Sequence, residues 1–436
     1  MPLLRVWLVS IVLLAPTAAS VKGASPNDAW FQANKDELVA LYTHLHSNPE
    51  LSFQEVKTAE RVAAELTRVG AVVTTGVGKL GVVGLLKNGP GPTVLIRSDL
   101  DALPVTEETG LPYASQATGL DPAGKPVRVM HACGHDVHMT CLVGVARWLA
   151  AHKDQWSGTA LLIGQPAEEM IGGAKAMLDD GLYTRFPKPD FALALHVTSD
   201  EPTGTVAYTS GPALAGSTAV DVLIKGKGGH GASPHSTVDP VVLAALAILD
   251  FQTIVSREIN PIHPAVLTVG SIHGGTKHNI ISNEVKLQLT LRAYRDDVRD
   301  QLIEGIKRRV VGLARSHQAP EPVVSIVEGT PPTINTPSLV ARIVPILKAT
   351  LGASSVKEVE PVMGAEDFGL FGQGGVPTFM FRLGTIPPER VKEAKAKGEI
   401  LPSLHSARYY PDPAPSIQTG IRAMTAAALE LMPAKP

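Results

Sequence analysis

Short runs of aliphatic and β-branched residues alternate with stretches of helical period through the first half of this chain. Several of the runs end in residues that carry chemistry. GVVGLL (81–86) and TVLIRSDLD (93–101), separated by the turn-forming NGPGP, read as neighbouring strands. MTCLVGVARWLAAHK (139–153) has a helical period, TALLIGQPAEE (159–169) reads as a buried strand ending in a polar loop, GGAKAMLDDGL (172–182) as a helix and FALALHV (191–197) as a strand. Upstream, residues 30–70 read as two helices around the turn NPELS. This alternation predicts an α/β sheet with helices on both faces. HACGHD (131–136), PAEE and the histidine of LHV fall at strand ends or strand-helix junctions, where open α/β sheets build their sites.

Between about residues 213 and 326 the pattern changes. STAVDVLIKG, AVLTVGSIHGG, EVKLQLTLR and EPVVSIVE read as strands, and DPVVLAALAILDFQTIV and DQLIEGIKRRVVGLARSH as helices, in the order βαββαβ with the helices on one sheet face. SLVARIVPILKATLG and IQTGIRAMTAAALELM then read as helices returning to the first unit. The expectation is a discontinuous domain of residues 26–212 and 327–436 with a smaller domain, 213–326, inserted into it. A chain of 436 residues, 44% of them hydrophobic, can bury both cores. Lysine plus arginine (39) nearly balance aspartate plus glutamate (41), and no long basic run carries interleaved aromatics, so a small molecule is expected as partner and nucleic acid is not. Residues 1–20, MPLLRVWLVSIVLLAPTAAS, place one arginine ahead of an apolar run ending in small residues, as a cleavable secretory signal does. A periplasmic or secreted protein without stable membrane insertion is the expectation.

HACGHD holds one of only two cysteines. Cys133 and Cys141 are eight residues apart, and a helical rise of about 1.5 Å per residue would separate their Cα atoms by about 12 Å. A disulfide needs less than about 7 Å. Cys141, inside an apolar helix, reads as a core thiol. Cys133 keeps three roles open: a nucleophile with His131 or His135 as base, a buried thiol, or a metal ligand joined by Glu168, Glu169, His196 or His405. The adjacent Glu168 and Glu169 weigh toward metal, because two carboxylates at the end of a buried strand repel and lose hydration unless a cation is present. One can then bind the metal while the other takes a proton from metal-bound water, the division of labour that hydrolysis requires.

LHSNPELSFQE, RSDLDALPVTEE, HACGHD, QPAEE, GGAKAMLDDGL, LHV, GKGGHGASPHSTVDP, HNIISNEV, AEDF and LHSARYY follow one another along the chain. Together they resemble the M20 metallopeptidases, most closely the branch of hippurate hydrolases, aminoacylase-like amidohydrolases and plant auxin-conjugate hydrolases. The resemblance implies an α/β fold, a di-metal aminopeptidase-like catalytic domain whose inserted lid also makes a homodimer. It implies Cys133 as a bridging ligand, His135 and His196 on one metal, Glu169 and His405 on the other, and Glu168 as general base. Asp101 would orient a ligand, as metal-bound histidines require. His230 would stabilise the oxyanion, often across the dimer interface, while Asn279 and Arg292 would meet the substrate and its carboxylate. His131, His138, His235 and His278 carry structural or supporting roles in this reading. Two departures stand out: NIIS replaces an NVIP-like lid motif beside Asn279, and IPPERVKEAKAKGEI (386–400) is a charged stretch longer than expected there, read as a surface helix, with a segment shaping the pocket mouth near His405 as the alternative.

The implied activity is hydrolysis of the amide bond of an N-acyl amino acid or short peptide with a free carboxylate, with two divalent ions per subunit. A bridging thiolate and imidazoles favour zinc, with manganese, cobalt or nickel as alternatives. The competing expectations are a cysteine hydrolase using Cys133 and a non-catalytic periplasmic binding protein on the same fold.

Overall fold

The computed structural model describes residues 28–435, so the segment read as a secretory signal lies outside the described residues. An eight-stranded mixed sheet organises the larger unit, in the order Val72–Val77, Gly81–Asn88, Gly158–Gln165, Thr93–Asp99, Phe191–Pro202, Thr378–Ile386, Val206–Tyr208, Val356–Glu358. The inner four, from Gly158–Gln165 to Thr378–Ile386, run parallel. Parallel strands are covered on both faces, which is why their sequences are almost continuously apolar.

Side chains on these strands divide between two cores with a period of two. Val94, Ile96, Leu162, Leu193, Leu195, Phe379 and Phe381 pack against helices Asp28–Ser47, His135–Ala151, Pro337–Leu351 and Pro413–Leu431. Leu95, Leu161, Ile163, Ala194 and Met380 face the other way, toward helix Gly173–Asp179 and the 3-10 turns of Asp367–Gly375. That second face carries the site. Its apolar series runs from Leu95 to Arg97 and Asp99, from Ile163 to Gln165, from Ala194 to His196 and from Met380 to Arg382. Alternation therefore stacks these polar side chains on one face, toward the carboxyl ends of four parallel strands.

A separate four-stranded antiparallel sheet, ordered Ala265–Gly274, Glu284–Ala293, Gly216–Lys225, Val323–Thr330, forms between the early and late parts of the larger unit. Every second residue from Thr218 to Ile224 is buried, and helices Pro240–Arg257 and Asp296–Ser316 cover that face through Phe251, Ile254, Leu302 and Ile306. The Asp239 carboxylate accepts the Val241 N–H at 2.9 Å and Pro240 supplies the first helical residue, a strong start signal. By length and composition Pro240–Arg257 could cross a membrane, but Leu243, Ala244, Ala247, Phe251 and Ile254 are packed into this core. The charged 386–400 stretch contains the helix Pro388–Lys397, with Ala394 its buried residue.

Candidate metal centre

HACGHD makes the turn into helix His135–Ala151. Gly134 has φ 74°, and a Cβ there would sit 2.6 Å from Val197 Cγ2, so the turn that presents Cys133 and His135 requires glycine. Two other site loops hold non-glycine residues in the left-handed region: Ala167 (φ 49°), just before Glu168, and His405 itself (φ 68°). Such conformations cost of order 1–3 kcal/mol each and persist only where surrounding contacts impose them. Here the Ala167 N–H donates to Glu55 Oε1 at 2.7 Å, and the His405 N–H donates to the Ala132 carbonyl at 2.9 Å. The second bond ties the His405 loop to the residue preceding Cys133.

The side chains converge in two groups. Donor atoms of Cys133, His135 and His196 lie within 4.8 Å of one another, and so do those of Cys133, Glu169 and His405. Cys133 belongs to both. Its Sγ is 3.5 Å from His196 Nε2, His405 Nε2 is 3.6 Å from Glu169 Oε1, and His135 Nε2 is 3.9 Å from Glu168 Oε2 and from Glu169 Oε1. Nδ1 of His196 donates to the Val197 carbonyl and Nδ1 of His135 to the Asp101 carbonyl, each at 2.8 Å, so both rings turn Nε2 into the site.

His135 Nε2 and Glu169 Oε1 are buried with no hydrogen-bond partner among the described residues. Burial alone would lower the pKa of His135, yet Asp99, Asp101 and Glu169 raise it to about 10. Burial pushes Glu169 up to about 7. Burial, reinforced by Glu169, Glu168 and Asp99, pushes the Cys133 thiol well above its ordinary value. Surplus negative charge around orphaned donor atoms fits a pair of divalent cations, which would compensate both. Nucleophile and metal ligand alike need the thiolate, and a bound cation would supply the offset to this shift. Cys141 is a second free thiol, buried in the core as its helix implies.

Supporting side chains fix these donors. The Asp101 carboxylate accepts Ser52 Oγ–H at 2.6 Å and the Glu169 N–H at 3.0 Å, with Oδ1 3.4 Å from His135 Nδ1. Asp101 therefore positions His135 chiefly through its main-chain carbonyl. Asp99, His135 and His138 also form a compact group, but His138 has no nitrogen to spare: its Nε2 accepts the Val197 N–H at 2.8 Å and its Nδ1 donates to Asp99 Oδ1 at 2.6 Å. Burial first, with the neighbouring histidines, lowers its pKa to about 4 and keeps it neutral. Asp136 does not touch His135; it accepts from His46 Nδ1 at 2.7 Å and from the Val137 N–H at 2.8 Å. His131 is buried with neither ring nitrogen hydrogen-bonded among the described residues, while His235 and His278 are exposed.

The site also contains a charged layer to which the sequence reading assigned no role. Arg97, buried beneath Glu168, donates to Glu366 through two N–H groups at 2.8 and 3.2 Å, to Asp99 at 2.8 Å and to Gln165 Oε1 at 2.9 Å. Glu168, Glu366 and Asp367 bring carboxylate oxygens within 4.8 Å of one another. Burial first, then Glu366, Glu169 and Asp367, raises the Glu168 pKa well above its ordinary value, against the pull of Arg97. The legible signal was an arginine in the middle of the apolar run TVLIRSD, since a buried cation requires buried anions.

Of the lid residues, Arg292 lines the same cavity of about 430 Å³ as Cys133, Glu168, Glu169, His196 and His405. His230 and Asn279 do not line it. Both are exposed, side by side where the short strands Gly229–His230 and Ile280–Ile281 pair and the Gly231 N–H meets the Asn279 carbonyl at 2.9 Å.

This α/β sheet, with two donor groups sharing a cysteine at its strand ends, has the architecture of dinuclear-metal hydrolases. The family model for peptidase family M20/M25/M40 matches residues 95–400, and the chain belongs to that family, whose members hydrolyse amide bonds. Thermostable carboxypeptidase 1 of Saccharolobus solfataricus is 36% identical over 382 residues, 87% of this chain and 91% of its own. N-acetyldiaminopimelate deacetylase of Limosilactobacillus reuteri is 34% identical over 396 residues, 90% of this chain and 97% of its own. The crystal structure of Bacillus subtilis YXEP protein, a dinuclear metal binding peptidase from M20 family, superposes with a TM-score of 0.74 at 25% identity, over 92% of this chain and 99% of that one.

Proposed function

We propose that the protein hydrolyses the amide bond of N-acyl amino acids or short peptides bearing a free carboxylate. Two divalent ions would be held by Cys133 between them, with His135 and His196 on one side and Glu169 and His405 on the other. The observation that carries this reading is that both donor groups share Cys133. When bound, the ions supply polarisation of the scissile carbonyl and a water nucleophile near neutral pH. Zinc suits the thiolate and imidazoles best, with manganese, cobalt and nickel as competitors.

Glu168 accepts the proton of the attacking water and returns it to the leaving amine. Arg97 offsets part of the repulsion that the neighbouring carboxylates exert on Glu168, and Arg292 pairs with the substrate carboxylate. His230 and Asn279 act in this reading from a second copy of the chain across a lid-to-lid interface, His230 on the oxyanion and Asn279 on the substrate. Val241, Val242, Leu246 and Leu249, exposed on helix Pro240–Arg257, and the edge strand Ala265–Gly274 support such an interface. Sedimentation equilibrium reads this part, and a fully active monomer would exclude it. Export belongs to the same proposal and rests on residues 1–20; N-terminal sequencing of the protein from a secreting host checks it.

Metal analysis combined with chelation, metal re-addition and a panel of N-acyl amino acids tests the central claim. Activity should vanish on chelation and return with one of the four ions. Chelator-resistant activity that a thiol reagent abolishes would instead assign Cys133 as the nucleophile. Tight binding without turnover across the panel would support a binding protein.

A further inference from the structure

Two arginines line the metal-site cavity without an ion-pair partner among the described residues. Arg292 comes from the end of the lid strand Glu284–Ala293 and Arg382 from the central strand Thr378–Ile386, and both line the cavity with Cys133, Glu169 and His405. Among the described residues neither has an aspartate or glutamate oxygen within 4.0 Å. Arg97, one face-position away in the same site, has its fork filled by Glu366, Asp99 and Gln165. Among the described residues Arg382 makes one hydrogen bond, from Nη2 to the Glu360 carbonyl at 2.7 Å, and none from Nε or Nη1. Partial burial lowers the pKa of both cavity arginines, as expected for cations stripped of water without a counterion. Asp200, on the same wall, and Glu201 both attract Arg382, but neither is within ion-pair distance of it: Asp200 is exposed and Glu201 is paired with Lys357 at 2.6 Å.

Register places Arg382 beside the reacting centre. It pairs with His196 across the parallel strands, and paired residues on strands about 4.8 Å apart direct their side chains to the same face. Tyr294, two residues beyond Arg292, lies close enough to Arg382 for the two to influence each other's ionisation. The two arginines thus share one wall, where the end of the lid strand meets the catalytic sheet.

We propose that Arg382 is a specificity-determining residue that reads a second carboxylate on the amine half of the substrate, selecting N-acyl derivatives of acidic amino acids such as aspartate or glutamate. The proposal rests on the amide-hydrolase reading and deepens it: Arg292 takes the α-carboxylate and Arg382 the side-chain carboxylate. A planar guanidinium with unengaged N–H groups matches a carboxylate through two parallel bonds, whereas a neutral amide side chain leaves the cation desolvated and unpaired. One wall for both arginines puts both anions on the same half of the molecule. Ile171, Leu214, Val362 and Met380 give the same cavity an apolar stretch, which suits an acyl group.

The test compares N-acetylglutamate with its isosteric neutral partner N-acetylglutamine, using metal-loaded wild-type protein and the variants Arg382→Gln and Arg382→Lys. The wild type should favour the glutamate compound in kcat/KM by about tenfold or more, the lower range for a charge-assisted bond at a half-exposed site. The ratio should fall toward one in Arg382→Gln and recover in part in Arg382→Lys. A wild-type ratio near one, or a Gln variant that lowers both substrates equally, would overturn the proposal, because loss of the Glu360 contact alone damages both alike. Calorimetry with free glutamate and free glutamine provides a second reading without turnover, and the same selectivity and its loss are expected there. Should metal-loaded protein cleave no N-acyl amino acid, the hydrolase reading fails while the calorimetric ratio still decides for or against Arg382.

Discussion

The contact between His46 and Asp136 makes part of the stability of this protein a function of pH. His46 Nδ1 lies 2.7 Å from Asp136 Oδ2 and Nε2 lies 3.1 Å from Glu107 Oε1, and all three side chains are shut off from solvent. Burial alone would lower the histidine pKa, but bonds to the two carboxylates reverse this and raise it from 6.5 to about 9. At about 1.4 kcal/mol per unit, the shift corresponds to about 3 kcal/mol. The depressed values of Asp136 and Glu107 express the same contacts and add nothing further. Because the folded-state value lies above the unfolded one, the stabilisation is complete below pH 6.5 and disappears as the pH rises through about 9. His46→Gln removes the cation and leaves two buried carboxylates facing each other. Urea unfolding of wild type and variant, repeated from about pH 6 to about pH 10, should show the wild-type advantage shrinking by about 3 kcal/mol over that window. A difference that stays constant with pH would refute the claim that the fold holds His46 as an imidazolium. Asp136 is next to His135 in the chain, so the variant is also expected to bind metal more weakly.

Glu168→Gln should keep its full metal content while kcat falls by about 10²- to 10⁴-fold, the usual worth of a general base; near-normal turnover in a metal-replete variant would remove Glu168 from that role. His138→Gln should lose about 1–3 kcal/mol of stability, because the Val197 N–H and Asp99 lose a buried partner, yet retain the wild-type metal stoichiometry. Loss of one ion by elemental analysis would instead make His138 a ligand. Gly134→Ala meets both a left-handed backbone and a Cβ 2.6 Å from Val197 Cγ2, so competition against a chromogenic chelator should report metal affinity reduced by about 5- to 30-fold, as expected for about 1–2 kcal/mol of strain. Unchanged affinity would mean that the loop relaxes without moving Cys133 or His135.

Local pattern sufficed for much of this protein. Alternating strand and helix periods announced the α/β sheet and the βαββαβ order of the smaller one, because burial on one or both faces imprints a period on adjacent residues. HACGHD, PAEE, LHV and LPSLHS carried the donor residues, and their order along the chain carried the family. Strand Thr378–Ile386 was not singled out, although it occupies the centre of the sheet beside Phe191–Pro202; nothing local distinguishes its apolar run from a buried helix segment, and its partners lie far away in the chain. The same holds for Val206–Tyr208 and Val356–Glu358, three-residue strands too short to show a period.

The chemistry-bearing residue types were thus determined by the sequence alone, and their relations by tertiary structure. Only the folded chain joins Arg97 to Glu366 across 269 positions, turns Asp136 away from His135 toward His46, occupies both nitrogens of His138, and separates His230 and Asn279 from the cavity that Arg292 and Arg382 share. Periodicity is a property of neighbours, whereas the burial of a charge depends on what the rest of the chain brings against it.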